Sequence, residues 1–355
     1  MKKLCFILFC CLTSSLSALE TNKQDKIVIA HRGASGYLPE HSIAAKAMAY
    51  GMGVDYIEQD VVMSKDNQLL ILHDHYLDRV TNVATVFPNR KRKDGRYYAI
   101  DFTLAEVSTL KMTEGFSVDN NGQQTAGFPA RFPLWKSTFT VHTLAEEIEL
   151  IQGLNKSTGG NVGIYVEIKS PAFHLHEGKD ISKAVLKELK AYGYNKPSDK
   201  AFVQSFDAID LKRIKQKLLP KLNMQVKLVQ LVAMTQWQET LIYNKNSTTA
   251  YDYDWMLTPE GMKEIATYAD GVGHWKPMLV DTTSTPVKSN GLTEAAHKAG
   301  LVVHPYTFRS DNGRIPEYAK DFDDLLKIFY FDICVDGVFT DFPDKAVRFL
   351  EKKRK

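Results

Sequence analysis

Cysteine is scarce in this chain. Of 355 residues four are cysteines, and Cys5, Cys10 and Cys11 all lie within the first eleven positions. Only Cys334 lies beyond them, so no disulfide can form within the rest of the chain, whatever the compartment. Cys334 sits in Phe331-Asp332-Ile333-Cys334-Val335 and reads as a filler of the apolar core. A long apolar run is missing too. Nothing after the first residues is apolar for long enough to cross a bilayer. Charge of one sign is also missing. Lys and Arg number 45 against 42 Asp and Glu, and the net +3 is too small to argue for a nucleic-acid partner. No short repeat and no low-complexity tract appears.

The amino terminus has the order of an export signal: basic Met1-Lys2-Lys3, a short apolar Leu4–Leu12, then small residues at Ser14-Ser15-Leu16-Ser17-Ala18. This predicts a signal peptide over residues 1–18, cleaved near Ser17 or Ala18, with the folded domain spanning 24–355. The rival reading is a buried first strand. Losing Lys2 and Lys3 would leave the chain close to neutral. Lipidation at Cys10 or Cys11 is disfavoured, because Phe9 or Cys10 stands where such processing prefers a small residue.

The apolar fraction of 44% supports a sizeable core, and the length suits one large α/β barrel or two ordinary domains. Strand-like and helix-like runs alternate from Ile27 onward. The strand candidates are Ile27–His31, Asp55–Val62, Val162–Ile168, Ala201–Phe206, Lys227–Val232, Gly271–Trp275, Leu301–Thr307 and Gly337–Asp341. Ser42 can cap a helix through Tyr50, and Thr143-Leu144-Ala145-Glu146 is a capping box for Leu144–Leu154. Further helical runs are 180–192, 208–218, 259–268, 292–299, 321–329 and 343–350. Eight βα units predict a TIM-type (β/α)8 barrel, with a doubly wound open sheet as the competing topology.

Two stretches break the rhythm. Met63-Ser64-Lys65-Asp66-Asn67-Gln68 is a polar turn before Leu69-Leu70-Ile71-Leu72, which predicts a hairpin delivering His73 to the rim. Residues 76–141 then lack clean periodicity and predict a subdomain inserted after the second strand and its hairpin. Such long connections are usually functional. The basic run Arg90-Lys91-Arg92-Lys93 within it reads as a solvated face.

The chemistry-bearing residues fall late in the strand candidates. Glu58 and Asp60 stand at i and i+2, so both carboxylates share one face of a strand while Ile57, Gln59 and Val61 face the other way. Burying two such anions without a cation is costly. Glu167 and Lys169 repeat the spacing on the next strand. A salt-bridge cluster is the plain alternative, but three carboxylates beside Arg32 and Lys169 favour an oxygen-only site, which suits Ca2+ or Mg2+ over zinc. His31 and His73 each close an apolar run, the arrangement a general acid and a general base need. Asp74 could fix a tautomer. Arg32 offers a planar fork and Lys169 a point charge to a phosphate. Glu40 is either a carboxylate supporting the site or a charge at a helix start.

His31-Arg32-Gly33, Glu58-x-Asp60, His73-Asp74 and Glu167-x-Lys169 together resemble the signature of the glycerophosphodiester phosphodiesterases. The stretches His73-Asp74-His75-Tyr76-Leu77-Asp78-Arg79-Val80 and Gly95-Arg96-Tyr97-Tyr98-Ala99-Ile100-Asp101-Phe102-Thr103-Leu104 are similar to its secreted, periplasmic bacterial members. The resemblance covers nearly all of the chain after the leader. It implies a barrel with a segment inserted after the hairpin, and a Ca2+ site (Mg2+ as the alternative) from Glu58, Asp60 and Glu167. It also implies His31 and His73 as the acid–base pair, with Arg32 and Lys169 on phosphate. The family's usual Glu-Asn-Thr is here Glu40-His41-Ser42. Ser42 can replace Thr as a cap, and His41 takes no catalytic role. Phe206, Trp275, Asp341 and Phe342 could shape a glycerol pocket.

The expected substrate is a small glycerophosphodiester such as glycerophosphocholine or glycerophosphoethanolamine, cleaved to sn-glycerol 3-phosphate and an alcohol. A membrane-lipid phospholipase would want an apolar rim where residues 76–141 are polar. A lipid-anchored binding protein would show a good lipidation site and degraded catalytic positions. A glycosidase would want two carboxylates flanking the bond. The oligomeric state is left open by the sequence.

Overall fold

The computed structural model describes residues 26–245 and 247–354. The expected leader, with Cys5, Cys10 and Cys11, lies outside these residues. The strands are β1 Ile27–Ala30, β2 Tyr56–Met63, β3 Gly163–Ile168, β4 Ala201–Ser205, β5 Lys227–Val232, β6 Gly271–His274, β7 Val302–Val303 and β8 Gly337–Thr340. They pair in parallel in the spatial order 7-6-5-4-3-2-1-8. Three backbone hydrogen bonds tie the two ends together. Asp336 donates to Val303 O at 3.0 Å, Phe339 to Pro305 O at 3.1 Å and Phe308 to Phe339 O at 2.8 Å. The sheet is therefore the nearly closed barrel of a (β/α)8 fold.

The strands form because nearly every position is apolar or β-branched and covered on both faces. All eight residues of β2 are buried, Glu58 and Asp60 included. Outward-facing Ile57, Val61, Ile164 and Val166 pack under the helices. Inward-facing Ile29, Tyr56, Tyr165, Phe202, Val229 and Phe339 form a separate cluster inside the barrel. Tyr165 stacks on Phe202 with centroids 4.6 Å apart and meets Phe339 edge-on at 4.9 Å. This aromatic layer fills the barrel and forms a floor beneath its carboxyl-terminal mouth.

The expected helices are present, with differences at their ends. Ser42 caps Ile43–Gly51 through Ala45 N–H, and the Thr143/Glu146 capping box opens Leu144–Thr158. That second helix runs four residues past its expected end and stops at Gly159, whose left-handed backbone suits glycine. The runs expected at 208–218 and 321–329 begin as α-helix and widen into π turns at Ile214–Leu218 and Ile328–Asp332. An additional short helix, Pro171–His176, follows β3. The seventh strand keeps only two residues in strand geometry, because Pro305 has no N–H to continue the ladder.

Cys334 is corrected by the structure: it is exposed. Its backbone takes φ 65° just after the π turn, which aims it outward while Ile333 and Val335 go into the core.

The turn 63–68 folds back as expected. Leu69–Ile71 pairs antiparallel with β2, Val61 facing Ile71 and Met63 facing Leu69. Beyond it, residues 76–141 hold short helices at Val83–Val86 and Leu104–Val107 and a hairpin of Phe116–Val118 with Gln124–Ala126. They carry an apolar cluster of their own, in which Leu77, Val80, Phe102 and Leu110 pack on Val62, Leu70 and Leu72. Two arginines of the basic run act as fasteners rather than as a free face. Arg90 lies over the Phe102 ring, 4.5 Å from its centroid, and Arg92 bridges Asp101 and Glu177. Among the described residues no helix is long and apolar enough to cross a membrane.

Candidate active site

A cavity of about 240 Å³ opens at the carboxyl-terminal ends of the strands. His31, Arg32, Glu58, His73 and Glu167 all line it. Asp60 and Lys169 lie against these residues, both buried. The parallel register of β2 and β3 explains the meeting of the carboxylates. Asp60 sits directly beside Glu167, Glu58 lies two residues earlier on the same face, and Lys169 follows Glu167.

The loop after β1 is held in a tight turn. Arg32 has φ 59° and Gly33 φ 84°, and Gly33 donates to Ala30 O at 3.2 Å. A Cβ on Gly33 would lie 2.8 Å from the Ala45 carbonyl carbon, so glycine is required there. The turn aims Arg32 N–H at Glu58 Oε2, 2.5 Å away. The Arg32 guanidinium meets Glu40 at 2.8 Å and Asp60 at 3.5 Å. Glu40 thus supports the site as a carboxylate partner of Arg32. Lys169 Nζ meets Glu167 at 2.7 Å and Glu239 at 3.1 Å.

Both histidines are gripped in the same way. His31 Nδ1 lies 2.6 Å from Asp341 Oδ1, and His73 Nδ1 lies 2.6 Å from Asp74 Oδ1. Carboxylates accept, so Nδ1 carries the proton in each ring and Nε2 is left for exchange. Burial, then the charge of Arg32, pushes His31 down to about 4. Burial, Arg32 and Lys169 also lower His73. Against the cost of burial, Arg309 and His31 hold Asp341 well below the usual carboxylate range, and His73 and Arg79 do the same for Asp74.

The carboxylates crowd one another out of reach of water. Burial, Asp60 and Glu167 raise Glu58 well above its ordinary value. Burial also pushes Glu167 up to about 8 against the pull of Lys169. Asp60 Oδ1 is buried with no hydrogen-bond partner. One donor atom each of His41, Glu58 and Asp60 lie within 4.8 Å of one another. A divalent cation fits this set, since it would relieve the repulsion and satisfy Asp60 Oδ1. His41, which the sequence reading left out of the site, is fully buried and its Nε2 sits 2.8 Å from Asp60 Oδ2. It thereby fixes one oxygen of Asp60 and leaves the other for a ligand.

Several further residues had no sequence signal. Glu239, Trp237, Gln204, Tyr306 and Arg309 also line the cavity. Gln204 and Tyr306 are partial exceptions: Gln204 precedes Phe206 by two on an expected strand and so shares its inward face, and Tyr306 lies within the expected strand Leu301–Thr307. Of the proposed pocket residues, Phe206 and Trp275 line the cavity. Asp341 instead serves His31, and Phe342 packs edge-on against Tyr37 at 5.3 Å.

The family described as "Glycerophosphoryl diester phosphodiesterase family" matches residues 31–345. A curated glycerophosphodiester phosphodiesterase of Haemophilus influenzae is 49% identical over 96% of this chain and 94% of its own length. One from Treponema pallidum is 44% identical over 92% of each. Two solved structures share the fold. A Silicibacter pomeroyi protein called a putative glycerophosphoryl diester phosphodiesterase superposes with TM-score 0.64 at 21% identity, covering 93% of this chain and 94% of that one. An Oleispira antarctica phosphodiesterase, solved in complex with the product sn-glycerol-3-phosphate, superposes with TM-score 0.58 at 22% identity, covering 92% and 96%. The chain belongs to the glycerophosphoryl diester phosphodiesterase family and is an enzyme of that class.

Proposed function

We propose that the enzyme hydrolyses small glycerophosphodiesters, among them glycerophosphocholine and glycerophosphoethanolamine, to sn-glycerol 3-phosphate and the free alcohol. The carrying observation is that two histidines, each oriented through Nδ1 by its own carboxylate, line one cavity with Arg32, Glu58 and Glu167. One histidine takes the proton of the attacking oxygen at Nε2, and the other gives a proton to the departing alcohol oxygen. The attacker is either water or the 2-hydroxyl of the glycerol. Burial and the charge of Arg32 favour the neutral ring in both histidines, and an arriving phosphate anion favours protonation of the donor.

Glu58, Asp60 and Glu167 would hold the ion, for which we propose Ca2+ with Mg2+ as the alternative. Bound there, it supplies positive charge to a non-bridging phosphate oxygen. Arg32 adds its guanidinium from the cavity wall, and Lys169 contributes charge from its place beside Glu167 and Glu239. The order of basic start, short apolar stretch and small residues at positions 1–18 supports export to the periplasm through a cleaved signal, and we place the enzyme there.

The test uses purified protein and glycerophosphocholine, with glycerol 3-phosphate as readout. Turnover is expected without chelator, loss with chelator and recovery when Ca2+ or Mg2+ is restored. Full turnover in excess chelator would overturn the metal-assisted reading, and no glycerol 3-phosphate under any condition would overturn the substrate.

A further inference from the structure

Each carboxylate that orients a histidine is itself held by an arginine, and both arginines come from the 76–141 stretch. Arg79 Nε donates to Asp74 Oδ2 at 2.8 Å, while Asp74 Oδ1 faces His73. Arg131 donates to Asp341 Oδ2 at 2.6 Å, while Asp341 Oδ1 faces His31. The two triads have the same order, arginine to carboxylate to imidazole Nδ1. Each carboxylate offers one oxygen to the ring and the other to the guanidinium, so its plane is fixed from both ends.

We propose that the 76–141 segment is a working part of the active centre, and that Arg79 and Arg131 are positioning residues that lock the two histidine–carboxylate pairs. The proposal rests on the acid–base reading of His31 and His73.

The two arginines are anchored rather than loosely placed. Arg131 spans the gap between segment and barrel. It grips Asp311 with two hydrogen bonds of 2.8 and 2.9 Å, donates to Ser35 O at 3.1 Å and stacks 3.7 Å from the Phe128 ring centroid. Its side chain is 5% exposed. Arg79 also grips Glu40, whose other oxygen binds Arg32. Arg79 therefore reaches both His73 and the phosphate-facing guanidinium. A planar fork can hold two carboxylates in fixed relative orientation, which a lysine cannot. Asp341 has a second partner in Arg309, at 2.7 Å, from the loop after β7. Asp74 has no other arginine partner among the described residues, so its orientation depends on the segment more heavily.

This predicts a kinetic pattern. Small displacements of a catalytic group cost up to ~10²-fold in rate. Arg131→Ala should lower kcat by ~10- to 100-fold with KM unchanged, because only a histidine is loosened. Arg79→Ala should lower kcat at least as much and also raise KM, because Glu40 and Arg32 lose their support. Arg92→Ala is the control. Arg92 ties the segment to Glu177 at 2.8 and 3.0 Å but touches neither triad. Its kcat should stay within about twofold of the parent, since loss of a surface pair costs little.

The experiment measures kcat, KM and thermal midpoint for the three variants, then repeats Arg79→Ala and Arg131→Ala with free guanidinium ion. Partial recovery of kcat by guanidinium in the two triad variants, with none needed in Arg92→Ala, is the expected result. Parent-level kcat in folded Arg79→Ala and Arg131→Ala overturns the proposal. So does an equal loss in all three that follows the thermal midpoint, which would make the segment a stabiliser only. If the alanine forms do not fold, the lysine forms are measured instead. A lowered kcat in folded Arg79→Lys and Arg131→Lys supports the proposal, and a parent-level kcat sinks it. His31→Ala and His73→Ala are run alongside. If they keep turnover, the acid–base reading has failed, whatever the arginines do.

Discussion

The imidazoles of His31 and His73 are tied by Nδ1 to carboxylates from different parts of the chain, Asp341 near its end and Asp74 next door in sequence. Replacing either ring with alanine removes a proton carrier without unpacking the barrel floor. His31→Ala and His73→Ala should each cut kcat by ~10²–10⁴-fold with an unchanged circular-dichroism spectrum. A folded variant with near-parent turnover would refute the assignment. Glu114 is buried with Oε2 unpartnered, and burial, then Glu40, pushes its carboxyl up to about 8. The folded state therefore keeps a proton that the unfolded chain gives up from about pH 4.5, and stability falls as pH rises from there to about 8. Glu114→Gln should be more stable than the parent at pH 8.5 and little different at pH 4.5. Denaturant midpoints at the two pH values measure this, and an equal effect at both would exclude it. Glu58, Asp60 and Glu167 could be read from the sequence because i, i+2 spacing puts charges on one strand face. Glu239, Arg309 and Arg131 could not, because they arrive from long connections whose spacing carries no geometric rule.

Helix starts were the clearest local signals. Thr143 and Glu146 satisfy each other's backbone N–H groups as their spacing predicts, and Ser42 does the same for Ala45. Thr143→Ala should lose about 1 kcal/mol of unfolding free energy and leave kcat alone, which denaturant unfolding alongside the standard assay would show. No measurable loss would mean that packing alone holds this helix. Helix ends were less clear. The π turn at Ile214–Leu218 runs up to Pro220, whose missing N–H removes a regular helix bond there, whereas nothing local announces the one at Ile328–Asp332. Pro305 shortens β7 for a reason visible in the sequence, its missing N–H, although the alternation of apolar residues continues past it.

Eight strands closing on themselves bring positions from 31 to 341 into one mouth, and this closure assembles three buried carboxylates that repel one another. Ion binding should therefore stabilise the whole fold. At a free concentration a hundred times its dissociation constant, an ion that binds only the folded state adds about 2.7 kcal/mol. Ca2+ or Mg2+ should raise the thermal midpoint of chelator-treated protein by several degrees, and Glu58→Gln should abolish most of that rise. An unchanged midpoint with both ions would exclude a resident cation at this site.

The order of strands and helices, the hairpin that carries His73 and the shared face of Glu58 and Asp60 follow from residue periodicity. Periodicity is a local property, set by the 2.0- and 3.6-residue repeats of the backbone. The pairing of Asp341 with His31, the grip of Arg131 on Asp341, the burial of His41 against Asp60 and the outward turn of Cys334 do not follow from it. These depend on which distant segments the closed barrel sets side by side, and on the desolvation that closure imposes on the charges within it.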